Sequence, residues 1–162
     1  PPPPPPPPHT PRPLHDALPI SLSTWIIAVA GLLLIGLVGA LQLVAVLRPR
    51  SAWTIANVYG GTPDDTDPTA YFAFNQGMAW ADVVLWLPLQ VAASVGMLLG
   101  QTWGFVLAVA ASMPYIYTAF TVFVWDRDLG FRKPGPFYWV VIWGMWPAFG
   151  VVQGLYAAAR LV

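Results

Sequence analysis

Four long apolar stretches alternate with polar connections along this chain: Leu22–Leu47, then about 78–99, 104–124 and 137–159. A hydrocarbon core about 30 Å thick is crossed by roughly 20 apolar residues of α-helix. Each stretch reaches that length. The pattern predicts an all-α protein, a bundle of four transmembrane helices at about 23–47, 78–99, 104–124 and 137–159. Positions 83–125 carry no charge over 43 residues, too long for one span and right for two. The run Gly100-Gln101-Thr102-Trp103-Gly104 supplies the tight hairpin between the second and third spans.

The ends of the first span follow from local chemistry. Ser23 or Thr24 is placed to cap its start, and Trp25 suits a membrane interface. Arg48-Pro49-Arg50 ends it, because proline cannot continue a helix. The stretch is too long for the apolar region of a signal peptide and no small-residue cleavage pattern follows it, so a retained span is expected. A longer polar connection, 51–75, leads to the second span. Its centre is dense in turn formers, with Gly60, Gly61, Pro63 and Pro68, which argues against a long helix. Asp64, Asp65 and Asp67 lack the central Gly and later Glu of a calcium loop, so they read as a solvated turn. Residues 125–136 join the third and fourth spans.

Outside residues 1–20, Arg48, Arg50, Arg127, Arg132 and Lys133 all fall in the connections between spans 1–2 and 3–4, and only Arg160 falls on the opposite side. The positive-inside rule therefore predicts both connections in the cytoplasm.

Residues 1–20 stand apart. Pro1–Pro8 is a homopolymer, and Leu14-His15-Asp16-Ala17-Leu18-Pro19-Ile20 resembles the translation of a common sequencing adapter; a poly-C tract read in frame gives the prolines. The resemblance implies that 1–20 is a non-native, disordered segment, that 21–162 is one transmembrane domain, and that the native start is missing. A polyproline II recognition tail is the alternative.

Setting that segment aside changes the chemistry. Both histidines lie in it, and the remaining chain has no His, Cys or Glu. Histidine- or cysteine-held haem, iron–sulfur clusters, thiol–disulfide exchange, His/Cys zinc sites and a Ser–His–Asp triad are then excluded for these residues. No metal and no cofactor is expected. The net charge is zero, and nothing suggests a nucleic-acid partner.

Small residues recur at four-residue spacing: Ala92, Gly96 and Gly100; Gly150, Gly154 and Ala158; Gly36 and Ala40. This spacing lets helix backbones approach closely in lipid. Pro88, Pro114 and Pro147 each interrupt a span and predict kinks.

Asp82 is the only ionisable side chain within the apolar stretches. With Asn75 and Gln90 it falls within roughly an 80° arc of an ideal helix, a polar stripe that should face the bundle interior. Topology brings the start of the second span, the end of the third and the start of the fourth to one membrane side. Thr118, Thr121, Trp125, Asp126, Arg127, Asp128, Arg132 and Trp143 then share a level with Asp82. These residues predict a cytoplasm-facing pocket that binds a lipid or small amphipathic ligand, with Asp82 as polar anchor or proton carrier. The competing account is that Asp82 pairs with Arg127, Arg132 or a tyrosine hydroxyl and only locks helices together.

Tyr71-Phe72-Ala73-Phe74-Asn75-Gln76-Gly77 and Trp125-Asp126-Arg127-Asp128-Leu129-Gly130-Phe131-Arg132 resemble the punctuating motifs of a small prokaryotic membrane-protein family, which implies a cytoplasmic-membrane location. The four-span plan with an intramembrane aspartate is also loosely similar to the sterol-isomerase and sigma-2-receptor-like superfamily. This chain lacks that group's further acidic and histidine positions, so no catalytic role carries over. Two other readings stand beside ligand binding. One is a structural or assembly subunit with a membrane-protein partner or a second copy of itself. The other is an enzyme using Asp82 for acid–base chemistry, which a single buried ionisable group supports least.

Overall fold

The computed structural model describes residues 20–59, 71–129, 140 and 144–162. Every described element is helical: α1 (Leu22–Leu47), α2 (Ala52–Asn57), α3 (Tyr71–Ala81), a π-helical turn (Asp82–Trp86), α4 (Leu87–Leu98), α5 (Thr102–Leu129) and α6 (Trp146–Ala159). Three helices are long and apolar enough to cross a membrane: Leu22–Leu47, Phe72–Leu98 and Thr102–Thr121. That is consistent with a membrane protein. The expected fourth span at 137–159 is described as the 14-residue α6, and its first part lies outside the described residues.

Several boundaries differ from expectation. The second apolar helix starts at Tyr71 rather than near residue 78, so Asp82 lies about 16 Å along the rod at 1.5 Å per residue. The third runs on to Leu129. The cap of α1 is Ser21, whose side chain accepts from the Thr24 backbone N–H, and not Ser23 or Thr24. The 1–2 connection contains a short helix, α2, capped in the same way by Ser51 from the Thr54 N–H. The aspartates at 64, 65 and 67 lie outside the described residues, as do residues 1–19.

The tight hairpin is as expected. Leu99, Gly100 and Gln101 connect α4 to α5, and Gly100 takes φ 66°, a left-handed conformation open to glycine at little cost. Gln101 N–H reaches the Gly96 carbonyl at 2.9 Å. Gly96 and Gly104 meet backbone to backbone across this hairpin, and a Cβ on either would collide with the other helix. On α1 the close approaches fall at Gly31 and Gly39. The expected packing pair Gly36 and Ala40 is instead exposed, and nothing lies near Gly36.

The rods α1, α3–α4, α5 and α6 run up and down in chain order, each packed on the next. The packing is layered. Ser21, Thr24 and Tyr156 close one end. Next comes an apolar layer of Ile27, Ala28, Ala93, Met97, Phe105, Ala108, Ala111 and Ala157. An aromatic layer of Trp86, Tyr115 and Trp146 follows, around Ile35. Ala45, Ile55, Tyr59 and Ala79, backed by Phe72, pack at the far end, where the Arg50 guanidinium sits 5.3 Å over the Phe72 ring.

Polarity runs opposite to that of a water-soluble bundle. Leu33, Leu85, Phe120 and Leu155 are about two-thirds exposed or more, while Thr24, Gln90, Ser94 and Gln153 are fully buried. Water would leave such an outer surface as a large unfavourable apolar patch; hydrocarbon accepts it, and internal pairing satisfies the polar groups.

Candidate functional site

The second rod explains how Asp82 is placed. Pro88 has no N–H, and its ring would crowd the carbonyl four residues back in a regular helix. The rod widens just before it: Leu87 N–H bonds to the Asp82 carbonyl, five residues back. A π turn of this kind holds one residue more than an α turn, so the helical phase shifts by roughly 100° between Asp82 and Gln90. The stripe expected from an uninterrupted helix is therefore split.

Asp82 turns toward α1. Gln42 Nε2 donates to Asp82 Oδ2 at 3.0 Å. Gln42 is the only hydrogen-bond partner of Asp82 among the described residues, and no described arginine or tyrosine hydroxyl pairs with it. The Asp82 side chain is part-buried, and its second oxygen has no described partner. Among the described residues the partner is thus a neutral amide from the first span; the side chains of Arg127 and Arg132, the cations expected for a lock, lie outside the described residues.

Gln90 turns to the bundle centre and belongs to a different cluster. Gln90 Nε2 donates to Gln153 Oε1 at 3.0 Å, and Gln153 Nε2 donates back to Gln90 Oε1 at 3.0 Å. The remaining amide hydrogens go to Ser94 Oγ at 3.1 Å and to the Ala108 carbonyl at 3.1 Å. Gly31 of α1 presses on the pair, and a Cβ there would run into Gln90 Nε2. All four N–H donors are used and both glutamines are fully buried. This node ties α1, α4, α5 and α6 together and has no N–H donor left over, so the structure groups Gln90 with Gln153 and not with Asp82.

The other expected residues divide. Thr121 Oγ1 donates to the Tyr117 carbonyl of its own helix at 3.0 Å. Thr118 is half-buried on α5, and Asn75 is half-buried on α3. The backbone of Trp125, Asp126, Arg127 and Asp128 continues α5, while their side chains, and Arg132 and Trp143 entirely, lie outside the described residues.

Gln42 and Gln153 were missed, although a signal was present. Gln42 is the lone carboxamide of the first span, and Gln153 the lone one of residues 137–159. A buried amide in an apolar helix needs a partner, so isolated amides on different spans are candidates to pair.

A second polar knot closes the end opposite Asp82. The Tyr156 hydroxyl lies 2.6 Å from Thr24 Oγ1 and 2.8 Å from Ser21 Oγ. It joins α6 to the capping residue of α1.

Comparison with known families, curated proteins and solved structures finds no match for this chain.

Proposed function

We propose that this is an integral protein of a prokaryotic cytoplasmic membrane that holds a lipid or small amphipathic ligand beside Asp82. One observation carries the reading: one oxygen of Asp82, the lone acidic or basic side chain within the apolar stretches, is fixed by Gln42, and the other has no described partner. Ionisable groups at membrane depth are costly and are kept where they pair or act. A single neutral amide compensates a carboxylate only in part, so the group retains capacity for a donor brought by a ligand. The π turn that begins at Asp82 supports the reading, since such turns occur frequently at functional sites. In this proposal the fourth rod completes a span, and the connections bearing Arg48, Arg50, Arg127, Arg132 and Lys133 face the cytoplasm.

The test compares the wild type with Asp82→Asn, purified in mild detergent. Folded yield is measured separately from small molecules retained in native mass spectrometry. The expected result is a well-folded Asn variant that has lost a molecule the wild type keeps. A wild type that carries nothing, with a variant that merely folds poorly, refutes the proposal and leaves Asp82 a structural residue.

A further inference from the structure

A second feature lies where the first apolar helix ends. The chain leaves α1 at Leu47 and turns through Arg48, Pro49 and Arg50 into α2. The Arg48 carbonyl pins this turn: it accepts from the Ser51 N–H at 3.2 Å and from Thr54 Oγ1 at 2.8 Å. Thr54 is fully buried, and Ile55 and Tyr59 form one cluster with Ala45 of α1 and Ala79 of α3. The turn is therefore held at both ends by packed structure.

Two cations stand on it, and both are exposed. The Arg50 guanidinium is positioned by the Phe72 ring of α3 at 5.3 Å. A ring face attracts a cation through its quadrupole; it supplies no countercharge and takes up no N–H donor. The one acidic side chain among the described residues, Asp82, is bonded to Gln42. Gln42 comes six residues before Arg48, about 9 Å deeper along α1. Among the described residues, neither arginine has a carboxylate partner. Trp53 is also exposed, while its neighbours Thr54 and Ile55 are buried.

Depth says what meets these groups. The 26 residues of α1 span about 39 Å, against a hydrocarbon core of about 30 Å. In a bilayer the end of α1 thus reaches the lipid headgroups, the level that tryptophan also favours. Guanidinium donates paired hydrogen bonds to phosphate oxygens. We propose that the Arg48–Pro49–Arg50 turn binds the headgroup phosphate of an anionic phospholipid. A zwitterionic lipid brings its own ammonium to the same place and gains less. The site shares no residue with the Asp82–Gln42 pair. It rests on α1 crossing the bilayer and not on a ligand beside Asp82.

The experiment incubates the full chain, in mild detergent, with equimolar phosphatidylglycerol and phosphatidylcholine of the same acyl chains. Native mass spectrometry reads the ratio of the two lipids retained. The wild type is expected to prefer phosphatidylglycerol. Arg48→Gln and Arg50→Gln should each lower that preference about fivefold, the equivalent of about 1 kcal/mol per cation at an anionic surface, and the double variant should abolish it. Asp82→Asn should leave it unchanged. Equal retention of the two lipids by the wild type overturns the proposal, as does a preference that survives the double variant. So does inorganic phosphate that displaces the lipid, because the occupant is then the free anion. If Arg50→Gln does not fold for want of its contact with Phe72, Arg48→Gln decides alone.

Discussion

The Gln90–Gln153 node makes a quantitative prediction. Gln153→Leu removes three hydrogen bonds: two with Gln90 and one to the Ala108 carbonyl. Interhelical hydrogen bonds in membranes average about 0.6 kcal/mol, so the direct loss is about 2 kcal/mol. Gln90 is left with a fully buried carbonyl oxygen and no donor, a penalty of about 1–3 kcal/mol. The single variant should therefore lose between about 3 and 5 kcal/mol. Gln90→Leu should cost a similar amount, because it leaves Gln153 Oε1 without a donor. The double variant removes both partners together and no longer carries the orphaned group, so it should cost clearly less than the sum of the singles. Reversible unfolding in mixed micelles gives all four free energies of the cycle. A coupling of at least about 1 kcal/mol is expected, well above the deviation of about 0.3–0.5 kcal/mol typical of independent sites. Additive costs would refute the node, because they would mean that the two amides do not satisfy each other.

Other changes test neighbouring features. Gly31→Ala should lower stability by about 1–3 kcal/mol, as overpacking does, since its methyl enters the space of Gln90 Nε2; a thermal shift read together with Gln153→Leu should show non-additivity. Gly104→Ala should cost a similar amount by forcing α4 and α5 apart, whereas Gly36→Ala, with open space around it, should be neutral or gain about 0.5–1 kcal/mol from helix propensity; the same unfolding assay ranks the two. Tyr156→Phe should cost about 1 kcal/mol, from two interhelical bonds at about 0.6 kcal/mol each, and should speed hydrogen exchange at the start of α1. Gln42→Leu should leave the fold largely intact yet alter retention of any molecule held beside Asp82, as read by native mass spectrometry.

The elements most legible in the sequence were those set by hydropathy over long windows. The first and third apolar helices and the Gly100 hairpin follow from apolar length and turn chemistry alone. The start of the second helix did not, because Tyr71, Phe74, Asn75 and Gln76 are too mixed in polarity to signal a helix, and packing of Phe72 and Ala79 against α1 and α2 decides it. The candidate site was half legible. Asp82 stood out as an isolated charge, yet the residue that binds it, Gln42, lies 40 positions away and could be chosen only by knowing which helix faces are adjacent. Gln90 was grouped with Asp82 on the assumption of a constant 100° per residue, and the π turn before Pro88 breaks that assumption. The small-residue rule found Gly96, Gly150 and Gly154 but misplaced the α1 contact at Gly36, because spacing alone does not say which side of a helix has a neighbour.

The two glutamines of the node are 63 residues apart, and that separation bears on how the chain assembles during synthesis. Gln90 is made early, when Ser94 is at hand as an acceptor and α6 does not yet exist. Until Gln153 arrives, the α4–α5 hairpin carries an incompletely matched amide at its centre, and so does each intermediate that includes it. Arrival of α6 relieves that mismatch and, through Tyr156, fastens α6 to the start of α1. The packing of these helices is therefore completed by α6, and a ribosome-bound chain truncated before Gln153 should remain loosely associated and open to quality-control proteases.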